Sequence, residues 1–344
     1  MIEKKGFIKD LRQGEKVEDV FLLVRAKQWV SKNGDPYWDL ELQDRTGRIP
    51  GKIWYPASVR YPSIEEESFF YIKGYVDSFR DNLQVVINEL LAVEEGEVSW
   101  EDFLPCVKTS PEELMEELEG LCKRELRYKP WRRLCGLILT DDYIREKFLI
   151  CPAAKSIHHA YRGGLLEHTL SVCKICLKIC DLFEDLDREI LLVAATLHDL
   201  GKIEEFMGKV SIDYSDKGQL LGHIILGLEM LSPFLKKVGD IEEGLILHLK
   251  HLILSHHGEY EFGSPRIPLT REAFVLHLAD NLDAKLNTIS SLLQSLEGEE
   301  ENWSRYQRSL ERRIFRPLNT LDLLEDRKRE GRRLVTQCLL PLKE

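Results

Sequence analysis

The hydrophobic pattern of this chain changes period near residue 100, and few folds can accommodate that change. Up to about residue 95, apolar side chains recur at every second position, as they do on strands. From Pro111 onward they recur every three or four positions, as they do on helices. Such a chain must build two cores, one lined by sheet and one by helices. Its 344 residues, 43% of them hydrophobic, are enough for two domains.

The first 95 residues read as five short strands. Phe21 to Ala26 is β-rich. Tyr37, Trp38, Leu40 and Leu42 form a second run after the turn Ser31-Lys32-Asn33-Gly34-Asp35. The turn Asp44-Arg45-Thr46-Gly47 leads into Ile49, Ile53 and Trp54. Residues 56–67 break the pattern and have room for a short helix. Phe69, Tyr71, Lys73 and Tyr75 alternate, and Leu83, Val85 and Ile87 alternate after Arg80-Asp81-Asn82. Five strands with a helix-length insert after the third fit an OB-fold, a small barrel that often binds single-stranded nucleic acid or oligosaccharide. Aromatic faces interleaved with cations suit sequence-tolerant binding of single strands. The residues expected to make such contacts are Trp29, Lys32, Tyr37, Trp38, Lys52, Trp54 and Lys73. Filling the barrel is the competing use of each aromatic.

Residues 96–110 are acidic and contain Pro105, and they read as a linker. A helical domain is expected over 111–316. It opens with Ser110 as N-cap and Pro111 at the first helical position. Further helix-periodic segments lie at 129–149, 164–183, 187–199, 221–237, 241–255, 271–296 and 301–315, with no strand pattern among them. Cys173, Cys176 and Cys180 have the spacing of one buried helical stripe and lack a fourth thiolate nearby, so core packing is preferred over a metal cluster. Residues 317–344 form a charged tail in which Arg327, Lys328, Arg329, Arg332 and Arg333 cluster.

The formal net charge of −11 argues against a protein that simply coats DNA, although a local basic groove would still bind nucleic acid. Met1 to Asp10 lacks the apolar core of a signal peptide, and no continuous apolar run approaches bilayer length. The expectation is a cytoplasmic protein with no membrane association and with cysteines that need not pair.

The chemistry is carried by an ordered set of histidines and aspartates: His168, His198-Asp199, His223, His256-His257 and Asp280. Each sits on or at the end of an expected helix. Successive members are 24 to 33 residues apart, about one helical hairpin, so consecutive helices can each direct a ligand into a shared centre. Imidazole with carboxylate suits Zn, Mn, Fe, Co or Ni. His198-Asp199 ends the apolar run Leu191 to Leu197, where two desolvated polar groups are costly without partners. Gly201 is placed to let the backbone turn there, and the Asp199 carboxylate could bridge two metal ions. A lone histidine on an apolar helix is usually a satisfied core residue, which is the reading for His248 and His251. It does not account for the ordered set.

The order His…His-Asp…His…His…Asp resembles the HD-domain metal-dependent phosphohydrolases. With the five-stranded module in front, the chain is similar to the YhaM family of 3′→5′ exoribonucleases over roughly residues 15–300. The similar motifs are His158-His159-Ala160-Tyr161-Arg162-Gly163-Gly164-Leu165-Leu166-Glu167-His168-Thr169, Leu220-Leu221-Gly222-His223, Ser255-His256-His257-Gly258 and Asp280-Asn281-Leu282-Asp283-Ala284-Lys285. The resemblance implies that His168, His198, Asp199 and Asp280 hold one divalent ion. Asp199, His223 and His256 would hold a second. His257 would be a further ligand or a donor behind the ligands. Lys202, one helical turn after Asp199, is a candidate phosphate contact, with an ordinary exposed lysine as the alternative. His159 and Arg162 are candidate phosphate or leaving-group contacts.

The expected activity is metal-dependent removal of nucleotides from the 3′ end of single-stranded RNA or DNA, with the barrel holding the strand. The rivals are hydrolysis of a nucleotide or cyclic dinucleotide with a regulatory barrel, and a non-catalytic nucleic-acid adaptor. The sequence leaves the oligomeric state open.

Overall fold

The structure, a computed structural model, describes residues 2–80, 82–104, 107, 109–154, 161–208, 212–294, 296 and 302–317. His159, Asp81 and the basic residues 327–333 lie outside the described residues. The chain divides into two compact units, Met1–Asp283 and Ala284–Glu344.

The first unit begins with β1 (Lys16–Val30), β2 (Pro36–Asp44), β3 (Gly47–Ile53), β4 (Ser68–Phe79) and β5 (Asn82–Val93). They close in the order β1-β2-β3-β5-β4, with β3 and β5 parallel and the other neighbours antiparallel. That is the OB-fold. The two expected turns form for local reasons. Ser31 Oγ accepts from the amides of Asn33 and Asp35, and Asp44 Oδ1 accepts from the Thr46 amide at 2.7 Å. The insert after β3 holds only one 3₁₀ turn, Ala57–Arg60. Alternate side chains such as Phe21, Leu40, Leu42, Ile53 and Ile72 fill the barrel, and each such burial contributes about 1.5–3 kcal/mol.

The stretch expected as a linker is partly folded onto the barrel. Val98, Phe103 and Leu104 are buried against Val20, Leu22 and Phe69, the outward-facing set of β1 and β4. The run is acidic overall, but its few apolar residues cap an exposed sheet face that would otherwise stay wet.

The helices of this unit are α1 (Pro111–Glu125), α2 (Lys129–Leu139), α3 (Asp142–Ile150), α4 (Gly164–Cys180), α5 (Arg188–Leu197), α6 (Lys202–Glu205), α7 (Asp216–Val238), α8 (Glu243–Ser255) and the start of α9 (Arg271–Gln294). Ser110 caps α1 by accepting from the Glu113 amide at 3.1 Å. The segment expected as one helix over 129–149 is two, because the Asp141 carboxylate accepts from the Ile144 amide and starts α3. The domain is also not purely α: Phe206–Met207 pairs with Asp213–Tyr214. Cys173, Cys176 and Cys180 are buried among apolar helix faces, as their stripe predicts. By length and composition α7 could cross a bilayer. It is, however, broken at Gly222 and buries Leu226, Leu231, Leu235 and Val238 along one side.

In the second unit α9 ends at Gln294. The helix expected over 301–315 is absent among the described residues. Residues 302–317 instead fold back on themselves, pairing Trp303 with Phe315 and Gln307 with Arg312. Apolar residues at 303, 306, 310 and 314 mimic a helical period, but Trp303 meets Phe315 across the fold-back with ring centroids 5.0 Å apart.

Candidate metal centre

His198 and Asp199 follow the last residue of α5, within an apolar helix that is buried from Ile190 to Leu197. Beyond it the backbone tightens to i→i+3 bonds, Leu200 to Leu197 and Lys202 to Asp199, so the two adjacent side chains both reach the space beyond the helix end. Gly201 does not make this turn possible, contrary to the sequence reading. Its φ is −65°, open to any residue. What requires glycine is the approach of α7, since a Cβ there would stand 1.9 Å from the His223 carbonyl oxygen. At Gly222 α7 breaks with φ +73°, a conformation that suits glycine, and His223 follows directly.

Asp199 is the hub. Its Oδ2 lies 3.5 Å from His168 Nε2 and 3.4 Å from His198 Nε2, while its Oδ1 lies 3.4 Å from His223 Nε2 and 3.5 Å from His256 Nε2. Asp280 joins the first side, with Oδ1 3.1 Å from His168 Nε2. His257 joins the second, its ring centroid 4.4 Å from that of His256 and 5.0 Å from that of His223. The two oxygens of one carboxylate thus face two groups of imidazoles.

The far side of every ring is fixed. Nδ1 meets Asp283 Oδ2 at 2.7 Å in His168, the Ala195 carbonyl at 2.8 Å in His198 and Glu205 Oε1 at 3.2 Å in His223. In His256 and His257 it donates to the carbonyls of Ile253 and Phe262, at 2.7 and 2.8 Å. A carbonyl only accepts, so Nδ1 carries the hydrogen and the Nε2 lone pair points inward. His277 holds the His256 backbone through its carbonyl at 2.9 Å.

Three buried inward atoms, Asp199 Oδ1, His223 Nε2 and His256 Nε2, have no hydrogen-bond partner. Converging acceptors with no donor among them cost about 1–3 kcal/mol each, and a cation is the group that would satisfy all three. The donor set fits a divalent transition metal. Ligand atoms of His168, His198 and Asp280, of His198, Asp199 and His256, and of His223, His256 and His257 each cluster within 4.8 Å.

Charge regulation agrees with that fit. Burial, aided by His256, pushes His257 down to about 4, and burial also lowers His223 and His256, so all three offer neutral imidazole at neutral pH. His168 behaves oppositely. Burial disfavours its charge, but hydrogen bonds to Asp280 and Asp283 outweigh that and raise it to about 9. Asp199 is held well below the usual carboxylate range; burial opposes this, and the Lys202 ammonium leads the groups that overcome it. Lys202 is buried, not the exposed lysine of the alternative reading, with Nζ 2.6 Å from Asp199 Oδ2. Sequence reasoning missed Asp283 and Glu205. Asp283 was legible in principle, lying one turn after Asp280 on the same helix face.

A family model described as the HD domain matches residues 165–285, the stretch that carries every one of these side chains. The "3'-5' exoribonuclease YhaM" of Geobacillus sp. (strain WCH70) is 33% identical over 317 residues, covering 91% of this chain and 96% of that protein. The proteins of the same name from Bacillus subtilis and Bacillus velezensis are 33% and 36% identical, each over 82% of this chain and 88% of their own length. This chain belongs to the YhaM family.

In this YhaM-family barrel the expected nucleic-acid residues separate into three groups. Trp29, Tyr37, Lys52 and Trp54 share the outer face of β1, β2 and β3 and the residue just after it. Tyr37 and Trp54 pack at a tilt with centroids 4.8 Å apart, Lys52 Nζ lies 5.6 Å from the Tyr37 ring, and Lys27 Nζ lies 4.9 Å from the Trp29 ring. Beside them is a groove of about 320 Å³ lined by Arg25, Lys27, Trp29, Asp39, Arg48 and Pro50. Lys32 is exposed in the β1–β2 turn. Trp38 and Lys73 are elsewhere. Trp38 is 7% exposed inside the barrel, with its indole N–H bonded to the Tyr61 carbonyl, because β2 alternates and residue 38 points inward. Lys73 is set apart by its place on β4, where it pairs with Glu89 at 2.7 Å; Lys52, on the aromatic face, pairs in the same way with Asp39 at 2.7 Å. Arg162, two residues before α4, holds its guanidinium 4.6 Å from the Trp100 ring, linking the barrel-side segment to the start of that helix.

Proposed function

We propose that this chain is a metal-dependent 3′→5′ exonuclease acting on single-stranded RNA. The observation that carries the reading is the Asp199-centred set of inward lone pairs, two of them on imidazoles held by a fixed far-side hydrogen bond. Its YhaM relatives, named as 3′-5′ exoribonucleases, support the polymer substrate and the direction of attack. The exposed aromatic and basic face of the barrel supports a single strand over a free nucleotide.

His168, His198, Asp199 and Asp280 would hold one ion, and Asp199, His223 and His256 a second, with His257 beside the second. Bound there, divalent metal supplies an acidified water and neutralises charge at the phosphoryl group. The chain's own residues set the geometry. Asp283 and Glu205 fix the rings, and Asp199 orients both halves from one carboxylate. Lys202 places a buried positive charge next to Asp199, where it balances the carboxylates and would offer a point charge to an anionic phosphate. The barrel holds the strand upstream of the end being cut. The water oxygen ends on phosphorus, the bond from phosphorus to the 3′ oxygen breaks, and that oxygen takes a proton, leaving a nucleoside 5′-monophosphate and a strand shorter by one.

The test uses single-stranded RNA labelled at its 5′ end, Mn²⁺ and a sequencing gel. A descending ladder abolished by EDTA, and absent for His198→Ala/Asp199→Ala, is the expected result. Intact RNA with hydrolysis of a nucleotide or cyclic dinucleotide by the same preparation would replace this reading with a small-molecule phosphohydrolase.

A further inference from the structure

His257 is one of the two half-buried members of the centre, with Asp280; the others are buried. His257 therefore lies on a side of the site that solvent reaches. Its Nδ1 is bonded to the carbonyl of Phe262, so the backbone of the turn after α8 stands one imidazole away from the centre. That turn, Tyr260–Phe262, is tightly built. The Phe262 amide donates to the Glu259 carbonyl at 3.1 Å and the Ser264 amide to the same carbonyl at 3.2 Å. The hydroxyl of buried Ser264 lies 2.6 Å from the Arg266 carbonyl and 3.1 Å from the Leu254 carbonyl, which sets the turn against the end of α8.

A turn anchored this firmly carries two largely exposed aromatic side chains: Tyr260 is 60% and Phe262 63% exposed. Among the described aromatic contacts, neither ring stacks on another ring. Exposed aromatics on a rigid support offer a face on which a base can stack at little ordering cost.

We propose that Tyr260 and Phe262 form a stacking platform for the 3′-terminal nucleobase, the base of the nucleotide about to be released. This rests on the exonuclease reading and adds to it a subsite on the product side of the centre, separate from the barrel face. In a 3′→5′ exonuclease the terminal base is attached through its sugar to the phosphate under attack, so it must lie beside the centre. The turn beside His257 is a rigid aromatic surface in that neighbourhood. A base held by its face alone is accepted whatever its identity, as removal of successive nucleotides from an arbitrary sequence requires.

The platform is tested by product binding, which needs no turnover. Calorimetry on the Mn²⁺-loaded protein compares adenosine 5′-monophosphate with ribose 5-phosphate, the same phosphate without the base. The wild type should prefer the nucleotide by about tenfold or more. Tyr260→Ala/Phe262→Ala should bring the ratio near one with metal content unchanged, and Phe262→Trp in the Tyr260→Ala background should restore a preference. Equal affinity of the wild type for the two ligands, or a preference that survives the double substitution, overturns the proposal. The RNA ladder reports separately. A protein that leaves RNA intact yet shows the aromatic-dependent preference has lost the activity reading and kept the platform; one that trims RNA without the preference has done the reverse.

Discussion

Asp283 faces no inward space, yet it decides which way His168 points. Its Oδ2 lies 2.7 Å from His168 Nδ1, and Ser171 donates to its other oxygen, so carboxylate and ring are both locked. Glu205 does the same for His223 and also accepts from the His223 amide at 3.0 Å. Each carboxylate serves a different side of Asp199. Asp283→Asn is expected to weaken metal binding about 10–100-fold on the His168 side, and Glu205→Gln similarly on the His223 side, read by calorimetric titration and metal content of each variant. Loss of both ions in either variant would show that the halves do not act separately. The raised pKa of His168 sets a pH window. Its folded value, about 9, exceeds the ordinary 6.5, so in metal-free protein it stabilises the fold fully below 6.5. That stabilisation, of order 3 kcal/mol, is lost as pH rises through 9. Urea unfolding of EDTA-treated protein from pH 6 to 9.5 checks the slope. Metal-loaded protein should lack it, because the inward proton is displaced by the ion. The convergence of the inward side chains was legible in the sequence, because a shared centre explains so many ordered histidines and aspartates at hairpin spacing. Of the partners behind them, Asp283 could be placed by spacing on the face of Asp280, but Glu205 could not, and spacing does not show which atoms hydrogen-bond.

Elements meet the site through backbone approach as much as through side chains. Gly201 is where α6 and α7 touch, and a methyl group there would meet the His223 carbonyl oxygen at 1.9 Å and the Gly227 nitrogen at 2.4 Å. Gly136, inside α2, has nothing within 4 Å of the same methyl. One chemical change should therefore have opposite signs. Gly201→Ala is expected to destabilise by about 1–3 kcal/mol and to displace His223 from the centre, whereas Gly136→Ala should stabilise by about 0.4–1 kcal/mol. Chemical denaturation of both variants, with metal content alongside, decides it, and equal effects would sink the packing account. The strands and main helices were legible because the period that builds each one also buries it. Three stretches were not. The segment around Val98–Leu104 looks like a linker because its apolar residues are broken up by Glu101 and Asp102 and follow no sustained strand or helix period, although Val98, Phe103 and Leu104 do the packing. Residues 302–317 have helical spacing but pair across a fold-back. At Gly201 the residue type was noticed but its use misjudged, since a glycine required by a neighbouring helix looks the same in sequence as one required by a turn.

At the scale of the molecule, the proposed function divides the labour between two cores, so the barrel face should be open to change without touching the candidate metal centre. Trp29 and Trp54 are 47% and 43% exposed, so their removal takes nothing from the barrel interior, while Trp38 is buried within it. The three tryptophans should therefore separate binding from folding. Trp29→Ala/Trp54→Ala is expected to raise KM for a long single-stranded RNA about tenfold or more, at about 1–3 kcal/mol per lost stack, with kcat on a dinucleotide unchanged. Trp38→Ala should instead lower barrel stability by about 3–5 kcal/mol. Lys27 and Lys52 beside the aromatics add a term that depends on salt, with log affinity falling against log salt by about 0.7 for each phosphate neutralised on a single strand. Substituting both lysines with glutamine should flatten that slope by about 1.4 and leave metal content and dinucleotide turnover as they were. If long and short substrates lose activity in parallel in the double tryptophan variant, the barrel is acting on the catalytic half and not merely holding the strand, and the division into a gripping core and a cutting core fails.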